Sequence, residues 1–392
     1  MKSTYIKITT CVTVGILTVG VLYEISDRLT HKKNSFHRYF TFHPVSPIRG
    51  IDLKYNSYYI SGADSNGVYL GNITAPLRLL QLKLPEMDTT RLQLKVEQTE
   101  GLKLRKSSIL TVRNPYFYIT DGVTPKVLRG EIGKWYARSF MYDSAYFSNA
   151  VPIGPKSLVI RSLSSDTQEY VLGKETDSLP YVKLVPGILE KQLDGIFCTD
   201  GMLHYNAELS KLIYLYYYRN QYIVMDTTLN IVYKGKTIDT NSIAKINPTK
   251  IKSKNTKILG SPPLMVNKKS CTAGNVLLVH SNLMAKNEDP KTFGETSVID
   301  VYNLKEGTYA FSFYIDPYKD EKLTDFYLTR NHFIAIHDHY LVLYDLNPKV
   351  FNPSLMSYDT CSLKQIQKTK RYKSGTNNII SRYDQDGYTG HL

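Results

Sequence analysis

The residues of this chain whose types best suit metal chemistry stand together as His337-Asp338-His339-Tyr340. Imidazole nitrogens are common ligands of zinc and other transition metals. In an extended strand, side chains two positions apart project to the same side, so His337 and His339 would face one ion together. The competing interpretation is a hairpin turn between the strand-like runs FIAI and YLVLY. No third ligand can be assigned, so His337 and His339 remain candidate ligands and the sequence assigns no metal.

A second segment, Asp64-Ser65-Asn66-Gly67, resembles the beginning of a calcium-binding loop. It lacks the later Asp or Asn and the terminal Glu of that motif. Asn-Gly is also a common centre of tight turns between strands, where no ion is needed. We predict a turn here, and also at Asp121-Gly122 and Asp200-Gly201.

Local signatures of catalysis are missing from the sequence. It contains no Gly-x-Ser-x-Gly, phosphate-binding loop or dinucleotide fingerprint. The adjacent carboxylates Glu288-Asp289 and Asp320-Glu321 are predicted to lie on a solvated surface and not to form an acid/base pair. We therefore assign no catalytic residue, no cofactor-binding residue and no cofactor. An active site assembled from distant loops would leave no local motif, so whether the protein is an enzyme stays open, with a non-enzyme favoured.

Strand-like runs of aromatic and β-branched residues, joined in pairs by short polar loops, recur along the chain. The paired runs begin at Tyr58 and Gly67, Pro115 and Lys126, Ser157 and Glu169, Tyr222 and Asn230, Ser297 and Thr308, and His332 and Tyr340. An amphipathic helix is allowed only within Thr240–Asn267 and Ser354–Lys370. The composition of 32 Tyr, 13 Phe and one Trp fits strands with one packed face and one wet face.

Repetition of these hairpins predicts an all-β fold, specifically a β-propeller. Four of the second strands end in glycine, at positions 71, 130, 173 and 235, with a mean spacing of about 55 residues. Residues 51–346 therefore hold between five and six units, so we predict six blades, with seven as the alternative, closed by a strand from one terminus. The layers between blades should contain the aromatic side chains of the tyrosine-rich region, which are Tyr214, Tyr216, Tyr218, Tyr222 and Tyr233.

The paired runs are similar to those of the TolB-like and NHL-like six-bladed propellers of bacterial cell-envelope proteins. The similarity covers about three-quarters of the chain and rests on the repeat pattern, not on an invariant motif. It implies a propeller fold and an envelope location. The chain lacks the Gly-His and Trp-Asp pairs of WD40 repeats and the Asp box of sialidases, and its single tryptophan, Trp135, excludes the tryptophan docking of quinoprotein propellers.

The N-terminus carries an uncharged apolar run, Ile8–Tyr23, behind Lys2 and Lys7. Its sixteen residues lie between the apolar core of a cleaved signal peptide and the length needed to span a bilayer. No small-x-small cleavage site follows the run, which favours an uncleaved signal anchor over residues 1–25. Residues 26–50 are then predicted to be a basic juxtamembrane stalk, followed by the propeller at 51–362.

The net charge of +14 is concentrated outside the predicted blades. Residues 1–49 hold 7 basic and 2 acidic side chains, residues 244–269 hold 7 basic and none acidic, and residues 364–392 hold 6 basic and 2 acidic, which leaves −2 for the rest. A nucleic-acid groove would place its basic residues on the folded face, so a nucleic-acid partner is not predicted. The Lys-rich loop at 244–269 and the tail at 363–392, predicted to be disordered, are either solvated segments or contacts to an anionic surface.

Cysteine usage leaves one question open. Cys11 lies in the apolar run, and of the other three, Cys271 and Cys361 flank the last strand-rich region and could pair. The alternative is that all are free thiols.

These observations predict a membrane-anchored propeller that acts as a binding or scaffold module in the bacterial cell envelope. It would be a single-pass inner-membrane protein with its body in the periplasm, or a periplasmic protein if the N-terminus is cleaved. Its partner would be an unidentified envelope protein or saccharide. The alternative function is a propeller lyase or hydrolase that acts on envelope saccharides or peptides.

Overall fold

The computed structural model of the protein describes residues 2–30, 34–64, 67–97, 104–141, 145–251 and 256–356. The predicted tail at 363–392 and Cys361 lie outside these residues. The N-terminal helix α1 (Lys2–Thr30) precedes an all-β body, and the described body adds only two short helices, α2 (Pro290–Glu295) and α3 (Pro353–Met356).

Six sheets, each built on antiparallel strands, form the six blades of a propeller. Strand β1 (Val45–Asp52) precedes the first blade. Blade 1 holds β2 (Tyr58–Asp64), β3 (Gly67–Asn72), β4 (Arg78–Lys83) and β5 (Asp88–Gln93). The next strand, β6 (Lys95–Val96), joins blade 2, which holds β7 (Ile109–Arg113), β8 (Tyr116–Asp121), β9 (Lys126–Glu131) and β10 (Tyr136–Ser139). Blade 3 holds β11 (Asn149–Gly154), β12 (Ser157–Leu163), β13 (Tyr170–Thr176) and β14 (Val182–Val185).

Blade 4 holds β15 (Gly201–Asn206), β16 (Lys211–Tyr216), β17 (Gln221–Met225) and β18 (Ile231–Lys236). A separate hairpin, β19 (Pro248–Ile251) with β20 (Thr256–Leu259), follows it. Blade 5 holds β21 (Asn267–Ala273), β22 (Val276–Ser281), β23 (Ser297–Asn303) and β24 (Thr308–Ile315). Blade 6 holds β25 (Leu323–Leu328), β26 (His332–His337) and β27 (Tyr340–Leu346).

The ring is closed by the N-terminal strand, as predicted. β1 pairs with β27 as the fourth, outermost strand of blade 6, in a register from Val45 opposite Leu346 to Asp52 opposite Tyr340. The propeller therefore begins at Val45, inside the segment predicted to be a stalk. This strand satisfies the backbone groups of β27, which would otherwise form an exposed sheet edge.

Each of the six predicted strand pairs is a neighbouring antiparallel pair in a blade. Between the blades lie six hydrophobic clusters, one at each junction. Tyr214 and Tyr216 fill the layer between blades 3 and 4, and Tyr222 and the half-buried Tyr233 fill the next one, as predicted. Tyr218 instead packs with Cys198 and Ala244 in a small separate cluster.

The glycines used to count the blades do not occupy an equivalent position in each blade. Gly71 lies in a second strand, Gly130 in a third and Gly235 in a fourth. Each stands directly opposite an aromatic residue of the neighbouring strand, and a Cβ at Gly130 would lie 2.4 Å from the Phe117 ring. Glycine is present because the ring covers its backbone.

The two ends of the propeller differ in their connections. Because strands alternate in direction, the turns between first and second strands and between third and fourth strands lie at one end, here called the hairpin end. The loops between second and third strands and the connections between blades lie at the other, here called the interblade end. The segment allowed a helix, Thr240–Asn267, connects blades 4 and 5 at the interblade end, and its described part contains β19 and β20 instead.

Candidate functional site

The two candidate metal-ligating histidines do not face a common site. His337 ends β26 and is paired with Tyr340, so Asp338 and His339 form a two-residue hairpin loop, with Asp338 in the left-handed region at φ 50°. His337 is fully buried, with Nδ1 at 3.1 Å from the carbonyl oxygen of Glu321. His339 contacts its neighbour Asp338 at 2.8 Å. The pairing of His337 with Tyr340 agrees with the interpretation of the segment as a hairpin turn between FIAI and YLVLY. A common orientation of the two histidines would have required an extended backbone through Asp338.

Burial of the His337 ring lowers its pKa, so the ring is disposed to stay neutral. Across the described residues, no group of three or more His, Cys, Asp or Glu side chains could hold a metal ion. Cys271 is a free, buried thiol whose pKa is raised by burial, and its predicted partner Cys361 lies outside the described chain.

The other candidate motifs serve structure. Asp64 pairs with Gly67 at the end of a hairpin, which agrees with the predicted turn. Glu288, predicted to be solvated, is instead buried and forms an ion pair with Arg38. Its neighbour Asp289 caps the N-terminus of α2. The prediction for Glu288 was wrong because its partner is far away in the sequence.

The first strand of each blade lines the central channel, where ligands of propellers commonly bind. At the hairpin end, Arg113 of blade 2 lies over the ring of Tyr205 of blade 4, 4.1 Å from the ring centroid. Its Nη1 donates to the carbonyl oxygen of Pro152 at 2.9 Å. Burial lowers the Arg113 pKa from its usual value, and raises that of nearby Tyr327, from blade 6, to about 12. Side chains from three blades therefore narrow this end of the channel.

Deeper in the channel, polar contacts join the first strands of neighbouring blades. Lys269 pairs with Asp325 at 3.1 Å, and Asp325 also accepts the backbone N–H of Ile60 at 3.0 Å. His204 Nε2 lies 2.7 Å from Ser270 Oγ, and enclosure together with nearby Lys269 lowers the His204 pKa to about 4. These contacts join blade 5 to blades 4 and 6, and blade 6 to blade 1.

A pocket of about 380 Å³ opens on blade 2, beside the turn between β9 and β10. Basic and aromatic side chains dominate its lining, and Glu131 is its one carboxylate. The lining consists of Tyr116, Arg129, Gly130, Glu131, Lys134, Tyr136, Arg138, Ser139 and Phe140. Glu131 pairs with Lys134 at 2.6 Å, which leaves the two arginines as the dominant charges.

The two pocket arginines are held against aromatic rings. The Arg129 guanidinium lies 3.8 Å from the centroid of Phe140 and 4.7 Å from that of Tyr116, and it also donates to the carbonyl oxygen of Pro155 in blade 3. Arg138 lies over Tyr136 at 5.4 Å. Stacking of this kind fixes the plane of a guanidinium and leaves its edge free to donate hydrogen bonds.

Arg129 and Arg138 also stand directly opposite each other on β9 and β10. Like charges at such a position repel, and neither arginine forms an ion pair with a carboxylate in the part of the chain described above. An anion placed between them would remove this repulsion. The arrangement is therefore suited to binding a carboxylate or phosphate group.

No sequence motif indicates this pocket. Most of its residues come from three strands, β8, β9 and β10, which carry no motif. The sequence shows only an alternation, in which residues two positions apart lie on the same face of a strand. These are Tyr116 and Tyr118, Arg129 and Glu131, and Tyr136 and Arg138. Which side chains of β9 and β10 stand beside each other on the same face of the sheet depends on the pairing register.

Comparison with known proteins adds little to this description. No protein-family model and no curated protein matches the chain. Similar solved structures include a DUF4221 family member from Bacteroides vulgatus (12% identity, TM-score 0.45, 78% of this chain and 99% of that one) and the Staphylococcus aureus virginiamycin B lyase with quinupristin (12%, 0.45, 77% and 100%). The Swd1 propeller domain of Myceliophteria thermophila is another (11%, 0.39, 77% and 99%). These similarities are too distant to indicate a function for this chain.

Proposed function

We propose that this protein is a membrane-anchored β-propeller of the bacterial cell envelope that binds an acidic saccharide in the blade 2 pocket. Propellers serve as binding and scaffold modules as well as enzymes, so the fold leaves the activity open. The observation that carries the proposal is the opposed pair Arg129 and Arg138, each stacked on an aromatic ring and facing the pocket.

The ligand class follows from the lining. A single guanidinium can donate two parallel hydrogen bonds to a carboxylate or phosphate, and two guanidinium groups can share one such anion. Tyr116, Tyr136 and Phe140 also line the pocket, and the C–H face of a sugar packs well against aromatic rings. A saccharide that carries uronate or phosphate groups satisfies both features, and the resemblance to envelope propellers favours such a ligand.

Membrane anchoring is supported by α1. Its segment Tyr5–Glu24 is 20 residues long, has a mean hydropathy of 1.8 and is not buried by any part of the protein. This length matches the hydrocarbon core of a bilayer. We infer an uncleaved anchor with the propeller in the periplasm. The alternative is a signal peptide, which would leave a periplasmic propeller with the same pocket.

The binding test uses the full chain in detergent or nanodiscs and an oligouronate of defined length as the probe. The oligouronate should bind, while a neutral oligosaccharide of equal length should not. Arg138→Gln should weaken binding about tenfold or more, which corresponds to about 1.4 kcal/mol. Arg91→Gln, at an exposed position on β5, is the matched control and should bind like wild type. Equal oligouronate binding by wild type and Arg138→Gln would contradict the pocket assignment.

The enzyme alternative is tested in the same samples. A lyase or hydrolase would shorten the oligouronate over time, which chromatography of the mixture would show. The pocket lining holds one carboxylate, Glu131, which already pairs with Lys134, and so lacks the pair of carboxylates that most glycosidases use. We expect the oligouronate to be recovered intact.

A further inference from the structure

The interblade end of the propeller carries exposed apolar side chains in six of its loops. Six large apolar residues are exposed in its loops, and they come from the connections of five blades. They are Tyr55, Ile73, Val123, Tyr146, Leu193 and Ile243. At the hairpin end, the described residues expose fewer: Leu179 in a turn, Phe42 shortly before β1, and Ile231 and Val232 at the start of β18. Exposed apolar side chains spread over one end of a protein mark an interaction surface.

Two of these loops form one structural unit. The side chain of Gln192 donates to the carbonyl oxygen of Ser242 at 2.8 Å and accepts the N–H of Ala244 at 2.9 Å. These bonds hold the connection between blades 3 and 4 against the connection between blades 4 and 5. These hydrogen bonds therefore hold the loops of Leu193 and Ile243 next to each other.

The same end carries exposed basic residues. Arg105 and Lys106 lie in the connection to blade 2, and Lys245 lies two residues after Ile243. At this end of the channel, Lys268 lies close to Lys322. Burial of Lys268, and to a smaller extent the charge of Lys322, lowers the Lys268 pKa.

Several carboxylates at the interblade end are committed to their own loops. Asp121, Asp194 and Asp239 are buried and accept backbone N–H groups two or three residues further along the chain. Exposed acids also lie at this end, among them Asp166, Asp316 and Asp320. Attraction to an anionic partner therefore comes mainly from the connection between blades 4 and 5, where residues 244–269 hold 7 Lys and no acid.

The chain also leaves the propeller for α1 at this end. Asn34 donates through its backbone and side chain to the carbonyl oxygen of Met284, in the interblade-end loop of blade 5, and Phe36 packs with Leu283 and Val266. Helix α1 ends at Thr30, and four residue steps span at most about 14 Å. The interblade end is therefore the one tied to the anchor.

We propose that the interblade end rests on the surface of an anionic bilayer, with its apolar loop tips inserted among the headgroups. The proposal rests on the membrane anchoring proposed above and adds the orientation of the propeller. Apolar and aromatic tips supply insertion, and basic residues supply attraction to anionic lipids, at about 1 kcal/mol for each Lys or Arg near the surface. In this orientation the hairpin end faces away from the membrane.

The test compares single tryptophans at the two ends. Ile243→Trp places the probe at the interblade end, and Leu179→Trp is the matched control at the hairpin end, because both residues are exposed, 64% and 81% respectively. Each full-length variant is reconstituted into vesicles that contain anionic phosphatidylglycerol and brominated lipid. The emission of Trp135, measured on wild type, is subtracted.

We expect the emission of Ile243→Trp to shift to the blue and to be quenched by the brominated lipid, while that of Leu179→Trp is unchanged. Replacing the anionic lipid with a neutral one should reduce the quenching. If the protein floats with the vesicles but neither probe is quenched, the orientation is wrong and the anchor is right. If wild type does not float with vesicles, the anchoring and the orientation both fail.

Discussion

Arg38 and Asp300 form a buried two-pronged salt bridge between the segment that follows α1 and blade 5. Arg38 Nε lies 2.7 Å from Asp300 Oδ1, and Nη2 lies 3.0 Å from Oδ2. Nη1 donates to the carbonyl oxygen of Leu283 at 2.9 Å and also to Glu288. These charges raise the Arg38 pKa in spite of its burial. The segment predicted to be a stalk is thus fixed to the propeller before β1 begins.

Arg38→Ala should destabilise the propeller by about 3–5 kcal/mol, because it leaves Asp300 and Glu288 buried without their cation. Chemical denaturation followed by circular dichroism measures the free energy of unfolding. Lys291→Ala removes an exposed ion pair with Glu295, where the atoms are 4.0 Å apart, and should change stability by less than about 1 kcal/mol. Equal stabilities of the two variants would show that the buried network contributes nothing.

Tyr216→Asp should be severely destabilising, by more than about 3 kcal/mol, since it places a charge between packed blades. Tyr216 is fully buried, and its hydroxyl accepts the N–H of Glu190 at 3.0 Å. Tyr216→Phe keeps the ring and loses only that hydrogen bond, so it should cost about 1 kcal/mol. Thermal melting of both variants checks the prediction. An unchanged melting temperature for Tyr216→Asp would mean that this strand is exposed in solution.

Gly235→Ala should lower stability by about 1–3 kcal/mol, because the added Cβ would lie 2.1 Å from the Tyr222 ring in a packed layer. Gly154→Ala is the comparison, as its Cβ would meet only Ser157 Oγ, at 3.3 Å. Melting temperatures of the two variants should differ clearly. If both melt alike, the opposed aromatic ring does not explain the glycine.

Acid should weaken the fold partly through His280. Burial, together with nearby Lys268, lowers the His280 pKa to about 3. The unfolded chain, with a histidine pKa near 6.5, binds this proton more readily than the folded protein. The stabilising contribution is therefore complete above about pH 6.5 and is lost as the pH falls toward 3.

The loss from His280 should reach a few kcal/mol, because each pKa unit corresponds to about 1.4 kcal/mol. Denaturation of wild type and His280→Gln at pH 7.5 and pH 4.5 measures it. Wild type should lose more stability on acidification than the variant. His204, whose pKa is about 4, acts in the same direction and remains in both proteins. Parallel losses would show that His280 is already protonated in the fold or does not titrate in this range.

The sequence by itself was sufficient to predict the all-β class, the six blades and the apolar helix. These properties depend on local sequence patterns. Strand-like runs of aromatic and β-branched residues joined by short polar turns predict a hairpin, whatever residues lie elsewhere in the chain. The hairpin of Tyr222 and Gly235 is an example. The mean glycine spacing predicted the right blade count for the wrong reason, because Gly71, Gly130 and Gly235 lie at different positions within their blades.

Only the tertiary structure decided where the chemistry lies. Arg38 meets Asp300 across 262 residues, and Arg129 meets Arg138 because of one particular strand register. A slip of one residue in that register would turn one of the two arginines to the other face of the sheet. The segment that follows α1 contacts the same end of the propeller as the exposed loops, and this too depends on contacts between residues far apart in the sequence. Local pattern determines the strands, and pairing over long distances determines which side chains meet.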